Sequence, residues 1–164
     1  MLLKGFARFC LVFAVLVTSA VTIARTSDSV DFSVATTDGN RFDLTSKKGK
    51  WVIVNYWATW CEACIEEMPE LSKFVSEHAD VAAIGLTDED IASADLKVFL
   101  EKHPLSYPIA KVAPGSMPKA FGSSFMGVHV RPITYIVDPS GKVVKRILGK
   151  LSMDDIGKVI APAT

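Results

Sequence analysis

Apolar residues recur along this chain in three rhythms, and each predicts a different element. They are almost continuous from Trp51 to Tyr56 and again from Val81 to Leu86, the mark of strands buried on both faces. Between these runs Ile65, Met68, Leu71, Phe74 and Val75 return at i, i+3 and i+4, one apolar stripe on a helix from Glu62 to about Glu77 that ends near His78. Leu96, Phe99 and Leu100 mark a second helix, Ala94 to His103, with Ser93 as its cap and Pro104 as its stop. Strict alternation appears twice. Val30 to Leu44 alternates about Thr37-Asp38-Gly39, and Ile133 to Leu148 alternates about Asp138-Pro139-Ser140-Gly141, so each predicts a β-hairpin. A short strand near Ile109, a small helix at Pro118 to Gly122 and a last helix opened by the capping box Ser152-x-x-Asp155 complete the order. Lys47-Lys48-Gly49-Lys50 reads as a solvated turn. The series hairpin, β, α, β, α, β, β, α predicts an α/β domain with a mixed central sheet and helices on both faces.

The N-terminal stretch breaks all three rhythms. Lys4 and Arg8 precede an uninterrupted apolar core from Phe9 to Val17, followed by small residues at Ser19-Ala20 and Ala24. Residues 1–24 therefore read as a signal peptide, or as an uncleaved membrane tether through residues 9–24, although this stretch is shorter than the roughly 20 residues a spanning helix prefers. Both alternatives keep Lys4 and Arg8 in the cytoplasm and export residues 25–164 as one domain. Removing residues 1–24 takes two of the 18 basic residues against 18 acidic ones and leaves a formal charge of −2, which gives nucleic acid no basic surface to bind. It also takes Cys10, an apolar filler, and leaves only Cys61 and Cys64.

Those two cysteines stand where the first buried run passes into the first helix, in Trp60-Cys61-Glu62-Ala63-Cys64. A helix N-terminus offers unpaired N–H groups and the positive end of the macrodipole, so it favours a thiolate over a thiol. A cysteine placed there has its pKa lowered from about 8.5 to roughly 3.5–7.5. The second cysteine, within one turn, is close enough to resolve a mixed disulfide formed by the first. Strand, turn, C-x-x-C and helix together imply a thiol–disulfide exchange site.

At Trp60-Cys61-x-x-Cys64, with Pro69 further along the same helix, the chain resembles the thioredoxin superfamily. Asn55-Tyr56-Trp57-Ala58-Thr59-Trp60 is similar to its TlpA/ResA-like branch. The resemblance runs from about Asp31 to the C-terminus, and departs from many members in having Ala63 before the second cysteine. It implies a thioredoxin-like fold in which the stretch around the second helix is a βα insert. It implies an exported or periplasmic thiol:disulfide oxidoreductase, cytochrome c maturation being one task of the branch. It implies no cofactor or metal beyond a redox-active Cys61–Cys64 disulfide, with protein disulfides as substrates and a membrane thiol electron donor as partner. Carried over by position, Pro132 is the cis-proline that packs against the cysteines, and Arg131 offers backbone to a bound substrate strand. Members of the family more often have a small or β-branched residue at the Arg131 position. A guanidinium there would favour a thiolate and acidic substrate surfaces.

Other residues have competing readings. Trp60 is expected over the active-site rim, with Trp51 and Trp57 in the core. A proton relay would draw on Asn55, which could orient a water near Cys64, on Asp88 after the neighbouring strand, or on Glu62 between the thiols. Against these stand simple packing of Asn55, a solvated acidic turn at Thr87-Asp88-Glu89-Asp90, and a helix-stabilising role for Glu62. His78 and His103 fit helix C-terminal caps. Two alternatives lie outside disulfide exchange. A Sco-like copper chaperone would use Cys61, Cys64 and His129, a soft donor set suited to copper. A peroxidase would need a nucleophile site without the Trp-Cys-x-x-Cys form.

Overall fold

The computed structural model describes residues 29–122 and 130–160. Residues 1–24, with the signal peptide or tether reading and Cys10, and His129 of the copper reading lie outside the described residues. The first hairpin joins β1 (Ser33–Ala35) to β2 (Arg41–Asp43), with Val34 opposite Phe42. Its turn requires a left-handed residue, which Gly39 supplies at φ +84°. The central sheet runs β5 (Ile109–Lys111), β4 (Val81–Thr87), β3 (Trp51–Tyr56), β6 (Ile133–Val137), β7 (Val143–Leu148). β3, β4 and β5 are parallel to one another, while β6 runs antiparallel to both β3 and β7. The two apolar runs of the sequence are thus the two innermost parallel strands, covered on both faces.

Helices α1 (Glu62–Glu77), α2 (Ser93–Lys102) and α3 (Met153–Ile160) flank this sheet. Alternation along β3 sorts the core. Ile53 and Trp57 face one way, with Ile136 of β6, and meet Cys64, Met68 and Leu71 of α1, Leu96 of α2 and Ile156 of α3. Val52, Val54 and Tyr56 face the other way and meet Phe32, Phe42 and Phe121. Among the described residues, then, all three α-helices pack into one cluster, where the sequence predicts helices on both faces. Topology explains the difference. The connections β3–α1–β4 and β4–α2–β5 step in the same direction along the sheet, and two right-handed crossovers in one direction lay their helices on the same face. The hairpin and a 3₁₀ turn at Lys119–Phe121, the small helix expected at Pro118 to Gly122, cover the opposite face. Phe121 is fully buried there, edge-on to Phe32 at 5.3 Å and to Tyr135 at 5.4 Å. The hairpin is tied to the sheet edge by the Thr37 N–H, which donates to the Ile109 carbonyl.

Helix boundaries follow the sequence with one correction. α2 is preceded by Ala92 in extended conformation, and Ser93 is its first residue rather than its cap. The two histidines do close their helices. His78 Nδ1 lies 2.8 Å from the Phe74 carbonyl with its ring stacked on Phe74, and His103 repeats the device on Phe99 at 2.9 Å. Phe99 stacks in turn on Trp57, so the end of β3 is braced against α2.

Candidate active site

The site begins where β3 runs out. The Trp57 N–H still donates to Leu86 of β4, and the chain then turns through residues 58–60. Cys61 is the N-cap of α1, in extended conformation, and its sulfur accepts a hydrogen bond from the Cys64 N–H at 3.2 Å. Its carbonyl takes the Ile65 N–H, which starts the helix. One of the orphan N–H groups of the helix N-terminus is therefore aimed at Sγ, the geometry that stabilises a thiolate after reduction. Cys61 and Cys64 are joined in a disulfide. Cys61 is 6% exposed and Cys64 0%, so Cys61 is the more accessible residue of the pair. Glu62 is exposed on the first turn of α1.

Beneath the helix lies a carboxylate that the sequence reading passes over. Glu67 interrupts the apolar stripe between Cys64 and Leu71 and is fully buried. One oxygen accepts the Asn55 amide at 2.8 Å, the other the Leu151 N–H at 2.6 Å. Asn55 also donates to Thr134, its partner across β3 and β6. Asn55 is thus committed to a polar cluster that ties α1, β3, β6 and the segment before α3 together. Burial pushes the Glu67 carboxyl above the ordinary carboxylate range, opposed by the Leu151 and Asn55 hydrogen bonds. The phenol of Tyr107 is raised by its own burial and then by the charge of Glu67. The signal for Glu67 was present: an acid at helical spacing between Cys64 and Leu71 falls on the face the helix must bury.

Ahead of Pro132 the Arg131–Pro132 bond is cis, in keeping with the expectation for this proline. Arg131 departs from what the sequence suggests. Its guanidinium is paired with Asp88, lies over the Tyr56 ring at 5.4 Å and donates to the Val130 carbonyl. The side chains of Arg131 and Asp88 are 3% and 8% exposed, so neither the open cation nor the solvated acidic turn is realised at these two residues. Glu89, one residue on, accepts both the Thr59 N–H at 2.8 Å and the Thr59 hydroxyl at 2.7 Å. It therefore holds the loop that carries Trp60 and Cys61, a contact between distant segments that no local pattern announces. Trp57 is fully buried and Trp51 half-buried, as expected of core indoles, while Trp60 is 67% exposed at the rim.

The arrangement has close counterparts. The family model of the AhpC/TSA family matches residues 26–146. The chain belongs to this family. Within it, the chain is 31% identical over 129 residues to the thioredoxin-like protein YneN of Bacillus subtilis, covering 77% of this chain and 72% of that one. It is 30% identical over 133 residues to the thiol-disulfide oxidoreductase ResA of Bacillus thuringiensis, covering 79% and 72%. A thioredoxin-family thiol:disulfide interchange protein of Chlorobium tepidum superposes with a TM-score of 0.68 at 28% identity, covering 84% of this chain and 95% of that one. The thioredoxin-like fold, and the assignment to thiol–disulfide oxidoreductases whose redox group is the cysteine pair, stand on these matches together with the Cys61–Cys64 disulfide. Among the described residues no group of three His, Cys, Asp or Glu side chains is placed to hold a metal ion, and no helix is long and apolar enough to cross a membrane.

Proposed function

We propose that the chain reduces protein disulfides outside the cytoplasm, with Cys61 as nucleophile and Cys64 as resolving thiol. The observation that carries this reading is the Cys64 N–H directed at Cys61 Sγ, on the more exposed of the two cysteines. In the reduced protein the Cys61 thiolate attacks one sulfur of a substrate disulfide. A Cys61–substrate bond forms, and the other substrate sulfur leaves as a thiolate that takes up a proton. Cys64 loses its proton and attacks Cys61 Sγ, which closes the Cys61–Cys64 disulfide and releases the second substrate thiol. Two electrons have moved to the substrate, and a membrane dithiol donor, itself oxidised to a disulfide, supplies two more to reopen the Cys61–Cys64 bond.

The backbone of Arg131, before Pro132, would receive the substrate strand, and Trp60 would cover its apolar side chains. Glu67, buried under the helix with a raised pKa, is the carboxyl suited to take the Cys64 proton, with Asn55 holding it. Asp88 and Glu62 take no part in that transfer in this reading: Asp88 is bound to Arg131, and Glu62 lies exposed in solvent. Lys4, Arg8 and the apolar run after them support export, either as a cleaved signal or as an inner-membrane tether through residues 9–24. A peroxidase reading finds no support in Trp60-Cys61-x-x-Cys64.

One experiment tests reaction and compartment together. Full-length Cys64→Ser, expressed in a bacterium and fractionated under acid quench, should accumulate reducible mixed disulfides with proteins of the exported fraction, whereas Cys61→Ser should trap none. Trapping through Cys64 in the Cys61→Ser protein would reverse the roles, and adducts confined to the cytoplasm would defeat the export reading.

A further inference from the structure

Against the loop that leads into Cys61 lies a hollow of about 210 Å³, its described lining being Ala58, Trp60, Asp88, Glu89, Pro114 and Arg131. Its lining joins both chain segments of the proposed substrate site, since Trp60 precedes Cys61 and Arg131 precedes Pro132. Its charge is decided by pairing. Arg131 and Asp88 neutralise one another at its floor. Glu89 is held by the N–H and hydroxyl of Thr59, neutral donors that fix its carboxylate without cancelling its charge. The formal sum over the described lining residues is −1. The adjoining Asp90 and Lys111 add one charge of each sign and leave that sum unchanged. Glu62, exposed one residue beyond Cys61, adds a further negative group on the first turn of α1. The hollow also has an apolar platform, because the Trp60 indole is 67% exposed and Pro114 stands in the same lining.

An unneutralised Glu89 carboxylate in the same lining as an exposed indole suits a long cationic side chain. Its methylene stem lies along Trp60 and Pro114, while its head reaches the Glu89 carboxylate and gains the attraction of the ring face. An acidic side chain would meet Glu89 at close range, and Arg131, the cation among the described lining residues, is already paired with Asp88. We infer that this hollow is a substrate subsite for a lysine or arginine beside the substrate's reactive cysteine. The inference rests on the thiol–disulfide reading above and reverses the acidic preference that Arg131 alone suggests.

The test uses the reduced full-length chain and short peptides whose single cysteine is blocked as a 2-pyridyl disulfide. Lys, Gln, Glu or Gly is placed immediately before or after that cysteine. Release of pyridine-2-thione reports attack on the peptide sulfur with a neutral leaving group throughout. In at least one placement the Lys peptide should react roughly tenfold faster than the Glu peptide at low ionic strength, with Gln between them and the gap narrowing as salt is added. Glu89→Gln should bring the Lys-to-Glu ratio close to one, whatever it does to the absolute rates. Equal Lys and Glu rates in both placements, a faster Glu peptide, or an unchanged ratio in Glu89→Gln would overturn the subsite while leaving disulfide exchange intact. Release from the Gly peptide no faster than by free cysteine would overturn the thiol–disulfide reading itself, and the subsite with it.

Discussion

Glu67 shows how much can turn on one side chain in a helix stripe. A hydrophobic residue there would complete the apolar face. The carboxyl instead joins Asn55 of β3 to the Leu151 backbone, and these two hydrogen bonds offset part of the cost of burying it. Burial still prevails, and the pKa lies above its usual 4.5. A carboxyl with a raised folded-state pKa favours the folded chain in its protonated form. Its contribution is fully present below the ordinary value and is lost as pH rises through the raised one. The stability of the oxidised protein relative to Glu67→Gln should therefore be greatest in mild acid and shrink as pH rises above 4.5. Urea midpoints of the two proteins across that range measure it, and a difference constant in pH would mean that Glu67 titrates as an ordinary carboxyl.

Between elements, the end of β4 does more than close a strand. Asp88 reaches across the end of β3 to Arg131 ahead of β6, and Glu89 reaches the loop before α1, so two consecutive acids hold both segments of the site to one strand end. A buried ion pair of this kind is costly to break from one side, because the remaining charge stays in a low-dielectric place without its partner. Asp88→Ala is expected to lose about 3–5 kcal/mol of stability, and Asp88→Leu combined with Arg131→Met to recover most of that loss. Denaturation of Asp88→Leu, Arg131→Met and the double variant supplies the thermodynamic cycle. If the losses simply add, the two residues are independent and the strap does not exist. The sequence could not announce this pairing, since Thr87-Asp88-Glu89-Asp90 has the composition of any solvated turn.

At the scale of the whole molecule, the sheet separates two cores with different duties. The helix-side core contains the cysteines, whereas the opposite core is built from the hairpin, Phe121 and the outward faces of β3, β4 and β6. Phe121→Ala should cost about 3–5 kcal/mol through the cavity it leaves, and should leave the rate of disulfide exchange within about twofold while the protein stays folded. A large rate loss in the folded variant would mean that the second core positions the site. Local pattern determined much of this protein. The buried runs at Trp51 to Tyr56 and Val81 to Leu86, the stripe from Ile65 to Val75, the Asp38-Gly39 turn and the position of Cys61 at a helix start are all legible, because periodicity, turn chemistry and helix polarity act over a few residues. Tertiary structure alone decided the face on which α2 lies, the burial of Glu67 between Asn55 and Leu151, and the pairing of Arg131 with Asp88. Those outcomes depend on crossover handedness and on contacts between segments far apart in sequence. Whether a charge ends in water or against an opposite charge is set by what the fold brings to it, and composition carries no record of that.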